Sequence, residues 1–239
     1  MGSRLRKERG NADAGPSPIH LLGGGPGTRR TVYAAIVRDI LRRSGKPTPL
    51  VAYIGAATDD DRRFAGFMED LVTAGGPCTF QLVPVLGTRA GGNTARVIIE
   101  AADVVLVGGG DVELGMRRLL ERNLAGCLRE KHDSGTPFFG ISAGAILLSL
   151  RWVRWRNPDD DGSAELFDCL GLAPVLCDCH GEEDGWAELK ALLRLGGDRA
   201  LGYGIRTAAA LRVQANGKVE SLCGKIDRFQ VQGEEVASL

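Results

Sequence analysis

The sequence has no apolar run approaching the roughly 18 residues that a membrane-spanning helix requires, so no helical span is expected. It has no excess of either charge: 30 Lys and Arg face 30 Asp and Glu. A chain balanced in this way offers no global attraction for nucleic acid or an anionic membrane surface. Histidine is scarce, with three in 239 residues. The six cysteines (Cys78, Cys127, Cys169, Cys177, Cys179 and Cys223) contain no C-x-x-C pair, and the common zinc frameworks depend on such pairs. Cys177-Asp178-Cys179-His180 has the look of a metal fragment, but Cys169 is the one further thiol nearby, and no metal site is expected. The turn Gly23-Gly24-Gly25-Pro26-Gly27 matches neither G-x-G-x-x-G nor a phosphate-binding loop with its lysine. No cofactor is expected.

Residues 1–18 read as a disordered tail. Arg4, Arg6, Lys7 and Arg9 are followed by Gly, Asn, Asp and Pro without the apolar core of a secretory signal. Arg6 stands where a myristoylation site needs serine or threonine. Without a secretion signal the cysteines read as reduced thiols, and a cytoplasmic protein is expected.

What the chain does have is glycine and alternation. It holds 34 glycines, roughly twice the usual share. At 44% hydrophobic and 25% charged it can bury a sizeable core. Strand-like runs at 19–22, 50–54, 78–85 and 104–107 alternate with helical patterns at 30–44, 59–74 and 93–102, and then across 112–132. Thr58 is the expected cap of the second helix. Such alternation implies βαβ units and a mostly parallel central sheet with helices on both faces, a three-layer α/β sandwich. After Leu150 the pattern changes to shorter strands at 200–203, 208–213, 219–223 and 228–231, with a hairpin signal at Asn216-Gly217. These are expected to extend one side of the same sheet, within a single domain over 19–239.

Gly140-Ile141-Ser142-Ala143-Gly144 lies between the apolar run Thr136-Pro137-Phe138-Phe139 and Ala145-Ile146-Leu147-Leu148. Strand, tight turn and helix around G-x-S-x-G form a nucleophile elbow, in which small neighbours leave the serine exposed on a strained turn. Gly108-Gly109-Gly110-Asp111 ends the preceding strand on the same sheet edge, where ligands of open α/β sheets bind. Its N–H groups, from Gly109 or Gly110, would supply half of an oxyanion hole and Ala143 N–H the other half, with Asp111 in the same substrate-binding turn. A serine needs a base. His20 lies early in its strand, and His132 precedes the strand whose far end carries Ser142. His180 remains as the general base. Of Asp159-Asp160-Asp161, which also reads as plain turn material, one residue is a candidate to orient the imidazole.

Val107-Gly108-Gly109-Gly110-Asp111, Phe139-Gly140-Ile141-Ser142-Ala143-Gly144-Ala145, the run from Phe167 to Pro174 leading to His180, and Leu201-Gly202-Tyr203-Gly204-Ile205 together resemble the dipeptidase E and cyanophycinase family of serine peptidases. The resemblance covers roughly Ile19 to Val231. It implies a fold like the class I glutamine amidotransferases (flavodoxin-like), with serine in place of the amidotransferase cysteine. It also implies a triad of Ser142, His180 and an intervening acid, for which Asp159 is the first choice and Asp160 the second. The expected substrate is a small peptide, cleaved at a peptide or isopeptide bond, and a homodimer is left open. Members that cut beside aspartate often carry basic residues close after the histidine. Here Gly181-Glu182-Glu183-Asp184 follows, which would repel an aspartyl side chain and favour a cation or a free amino terminus. Arg206-Thr207 replaces the family's late acidic pair, and Arg206 is a candidate to bind a carboxylate. The rival readings are an esterase with the same machinery and a catalytically silent binding module.

Overall fold

The computed structural model describes residues 15–25, 27–86, 89–157 and 159–239. The apolar runs build a seven-stranded sheet. Its parallel strands are β1 (Ile19–Leu22), β2 (Leu50–Ile54), β3 (Thr79–Val83), β4 (Val104–Val107) and β5 (Phe138–Ile141), in the spatial order β1-β5-β4-β2-β3. β10 (Ala210–Val213) joins β1 antiparallel, and β11 (Val219–Cys223) continues outward from it.

Period-two alternation along the strands divides the core. Val51, Tyr53, Val104, Leu106 and Phe139 pack with α1 (Ala34–Arg43) and α2 (Arg62–Thr73). Their neighbours Ala52, Ile54, Val105, Val107 and Phe138 pack with α3 (Arg89–Ala101), α4 (Val112–Glu121), α5 (Leu124–Asp133) and α6 (Ala143–Leu148). All ten side chains are fully buried. That is the three-layer α/β sandwich, with helices covering both faces of a mainly parallel sheet. The helices answer with their own spacing: α1 buries Val37, Ile40 and Leu41, and α2 buries Ala65, Met68, Leu71 and Val72.

Boundaries shift where polar side chains find better partners. α2 starts at Arg62, not at Asp59, and its cap is Asp61, which accepts from Phe64 N–H at 2.8 Å; Thr58 does not cap it. Asp59 and Asp60 have φ of 50° and 57°. They are drawn out of the helix because Asp59 pairs with Arg118 at 2.7 Å while Asp60 accepts from Val85 and Leu86 N–H.

A second sheet was not expected. Only β10 and β11 of the four late runs extend the main sheet. β9 (Leu201–Ile205) and β12 (Ile226–Gln232) pair with each other, flanked by β8 (Leu176–Cys179) and β13 (Glu235–Ser238), in the order β13-β12-β9-β8. The reason is a glycine face on β9. Gly202 lies against Leu189 and Leu193, and Gly204 against Trp186. This gives α7 (Ala187–Gly196) close access to the sheet. β6 (Arg151–Trp155) and β7 (Ala164–Asp168) form an antiparallel hairpin beside it. The expected tail falls outside the described residues over 1–14. Ser17, also assigned to it, donates to Gly135 O at 2.6 Å, and its own carbonyl contacts the His132 ring. Among the described residues no helix is long and apolar enough to cross a membrane.

Candidate active site

β5 ends at Ile141, and the chain turns sharply at Ser142 (φ 55°, ψ −125°) before entering α6. A left-handed φ is costly for a serine. It is held by the Ser142 N–H donating to Leu22 O at 2.9 Å and by Ala145 N–H donating to Ser142 O at 2.8 Å. The two flanking glycines have a plain steric cause. A Cβ on Gly140 would overlap the Gly144 carbonyl, and one on Gly144 would overlap the Val107 carbonyl of β4.

His180 directly follows β8. Its N–H donates to Ile205 O at 2.9 Å, and its φ of 46° turns the side chain out of the strand line. The ring reaches the elbow, with Nε2 2.8 Å from Ser142 Oγ. For Nε2 to accept the serine proton, the ring's own proton must sit on Nδ1. The other two histidines are elsewhere. His20 is buried in β1, where burial, with Arg43 and Arg212, pushes its pKa down to about 4. His132 is buried beside Phe138 and Ser17.

Gly108-Gly109-Gly110 closes over the elbow. Gly109 packs on Ser142, since a Cβ there would stand 3.1 Å from Ser142 Cβ and 3.6 Å from Oγ. Gly110, at φ 136°, lies against the Ala57 carbonyl with no room for a side chain. Among the described residues the N–H groups of Gly109 and Gly110 meet no acceptor. Ala143, as first residue of α6, likewise has no intrahelical partner for its N–H. Three backbone N–H groups at or beside the elbow are therefore without an acceptor among the described residues. Asp111 does not join them. Its carboxylate caps α4, accepting from Leu114 N–H at 2.7 Å.

The acid expectation is not met. Asp159 and Asp160 are exposed in the β6–β7 connection, where Asp160 Oδ1 accepts from Gly162 N–H and Asp159 N–H donates to Asn157 Oδ1. Neither hydrogen-bonds His180. Among the described residues no carboxylate does. The cause is the hairpin: β6 and β7 pair over five residues each and carry their turn away as an Asx-rich loop.

The acidic run after His180 is tied up locally. Glu182 Oε1 accepts from Thr207 N–H at 2.9 Å. Burial works to raise its pKa, but the Thr207 bonds and Arg206 outweigh this and hold the carboxyl low. Asp184 accepts from Trp186 N–H. Arg206 is engaged by Asp227, at 2.6 and 3.2 Å, and not left open for a substrate carboxylate. Asp178, buried in β8, accepts from Cys179 N–H at 2.7 Å; burial, with Glu188, pushes it up to about 7.

Sequence reasoning missed one wall of the site. A cavity of about 310 Å³ opens onto Ser142, Gly109 and Gly110, and its far side is Phe64, Phe67, Met68 and Leu71 of α2. The signal was present: Phe64 and Phe67 are apolar residues added to a helix whose core stripe already runs through Ala65, Met68, Leu71 and Val72.

Fold and elbow together define an α/β protein with a serine nucleophile elbow at the carboxyl edge of its parallel sheet. Residues 19–221 match peptidase family S51, and the chain belongs to that family. It is 50% identical over 54 residues to peptidase E of Haemophilus influenzae, a stretch covering 23% of this chain and 25% of that protein. It is 40% identical over 83 residues to peptidase E of Pasteurella multocida, covering 35% of each. The chain thus aligns with about a quarter to a third of the length of these curated relatives. Two solved structures share the fold. A peptidase from an acI-B1 actinobacterium superposes with a TM-score of 0.66 at 20% identity, over 94% of this chain and 98% of that one. A putative peptidase E protein from Listeria monocytogenes superposes with a TM-score of 0.63 at 16% identity, over 88% and 100%.

Proposed function

We propose that this protein hydrolyses an amide bond in small peptides through an acyl-enzyme on Ser142. Ser142 Oγ attacks the carbonyl carbon while its proton passes to His180 Nε2. The oxyanion is received by Ala143 N–H together with Gly109 or Gly110 N–H. As the C–N bond breaks, His180 returns the proton to the leaving amine. Water then enters, gives its proton to His180, and releases the acid with Ser142 restored.

The observation that carries this reading is the 2.8 Å approach of His180 Nε2 to Ser142 Oγ at a strained elbow. The two residues lie 38 positions apart and on different sheets, so local chain geometry alone does not account for the pairing. Membership of family S51 and the peptidase E relatives support an amide substrate. The His180 main chain is held by its N–H bond to Ile205 O and its ring meets Ser142 Oγ through Nε2, so the reading is a serine–histidine pair without an assigned acid. Six free thiols, three of them buried, suit a reducing compartment such as the cytoplasm.

The test is labelling with a fluorophosphonate probe, read by intact mass. Wild type is expected to take one adduct at Ser142, lost in Ser142→Ala and reduced by at least about 100-fold in rate in His180→Ala. A folded wild type that takes no label refutes the reading and leaves the silent binding module. Turnover of 4-nitrophenyl esters with none of peptides points instead to an esterase.

A further inference from the structure

The cavity beside Ser142 has a composition that selects a substrate. Its outer wall is four apolar side chains of α2, at Phe64, Phe67, Met68 and Leu71, a spacing of i, i+3, i+4 and i+7 that lines one side of a helix. Thr28 and the glycines of the β1 loop help complete it, and His180 is the one titratable side chain among the described lining residues. Among the described residues no Lys or Arg lines it. Arg63, next to Phe64 in sequence, lies with Asp61 in a separate groove that Phe64 and Phe67 also line. Arg206 is held by Asp227.

Resting on the peptidase reading above, we propose that this cavity receives the side chain of the residue whose carbonyl is attacked, and that it selects leucine, methionine or phenylalanine over aspartate or lysine. The placement follows from the donors. Gly109 and Gly110 line the same cavity as the α2 wall, so a carbonyl held by their N–H groups stands beside that wall with its side chain within reach of it. The leaving amine faces His180, which must protonate it. A volume of about 310 Å³ accommodates one such side chain, at the small end of ligand pockets. An apolar side chain gains its transfer free energy there. An aspartyl carboxylate would be stripped of water with no cation among the described lining residues to pair it. The acidic run after His180 is not the cause, since Glu182 accepts from Thr207 N–H, Asp184 accepts from Trp186 N–H, and neither is among the residues lining the cavity.

The experiment separates binding from turnover. Leu-Ala, Phe-Ala, Asp-Ala and Lys-Ala are titrated calorimetrically into Ser142→Ala, and the same peptides are assayed for kcat/KM with wild type. Leu-Ala and Phe-Ala are expected to bind at least about 10-fold tighter than Asp-Ala and Lys-Ala, with the same order in kcat/KM. Phe67 is partly exposed, and Phe67→Arg in the Ser142→Ala background is expected to move the preference toward Asp-Ala. Phe67→Ala serves as the second variant if the arginine fails to fold, and is expected to weaken Phe-Ala selectively. Equal affinities, an aspartyl preference, or no measurable binding by any peptide overturns the inference. Leucyl preference in binding with no hydrolysis by wild type leaves the cavity assignment standing and refutes the peptidase reading.

Discussion

Asp178 should make the protein less stable as pH rises through the range where most proteins are comfortable, and Asp178→Asn should remove the effect. The carboxyl is 5% exposed in β8, with Glu188 and Asp184 among the charges around it. Its pKa is raised from 3.8 to about 7 in the folded protein. Below pH 4 it is protonated in both the folded and the unfolded chain, and contributes no difference. Between pH 4 and 7 the unfolded chain releases the proton while the folded chain keeps it, so each step up in pH favours unfolding. Above pH 7 the cost is complete. A shift from 3.8 to about 7, at about 1.4 kcal/mol per pKa unit, amounts to about 4 kcal/mol. Relaxation and water entry around a buried carboxylate reduce this, leaving about 2–4 kcal/mol. Asparagine keeps the Oδ1 that accepts from Cys179 N–H and never ionises. The assay is urea unfolding at pH 4, 6 and 8, followed by tryptophan fluorescence, on wild type and Asp178→Asn. The variant's advantage is expected to grow by about 2–4 kcal/mol from pH 4 to pH 8. A difference that is flat with pH, or a variant that loses ground at pH 8, would refute the reasoning. Other titrating groups are common to both proteins and drop out of the comparison.

Gly144→Ala forces a methyl into the Val107 and Gly108 carbonyls; a loss of at least about 3 kcal/mol is expected, a fall of roughly 6–12 °C in Tm, and an unchanged Tm would contradict the steric account of the elbow. Asp227→Ala strands Arg206 and Trp186 Nε1, which it accepts from at 2.6 and 3.0 Å, and should cost about 2–3 kcal/mol in urea unfolding. Asp159→Ala with Asp160→Ala should change kcat/KM by less than about 3-fold, because neither carboxylate bonds to His180. Loss of an orienting triad acid costs about 10⁴-fold, so a fall of that size would restore one of them to the site.

The main sheet was legible because its strands are buried on both sides. Val51 through Ile54 and Val104 through Val107 are unbroken, β-branch-rich apolar runs bounded by turn residues, the usual mark of a strand covered on both faces. The second sheet was not legible. β9 alternates glycine with larger residues, and the reason lies in α7, whose Leu189 and Leu193, with Trp186 just before it, fill the space. That contact is tertiary, and no local pattern in 201–205 announces it. The start of α2 failed for a related reason. Thr58 is a good cap by itself, but Asp59 and Asp60 find Arg118 and the Val85 and Leu86 amides instead.

At the site, legibility follows what each residue's role depends on. The elbow could be read because its geometry is local: Gly140 and Gly144 must both be small for one turn to close, and both lie within two residues of Ser142. The histidine could be read by elimination, because two of three candidates belong to the wrong end of the sheet. The acid could not, since Asp159-Asp160-Asp161 is as good a turn as it is a source of carboxylates, and the β6–β7 pairing that claims it for the turn is made between residues outside the triplet. The specificity wall was hidden in a different way. Phe64 and Phe67 look like surplus core residues on an amphipathic helix, and only the position of α2 over the Gly109 turn gives them an occupant to face. The proposed nucleophile is therefore written in a short motif, while the proposed substrate choice depends on which helix the fold lays across the open side of that motif.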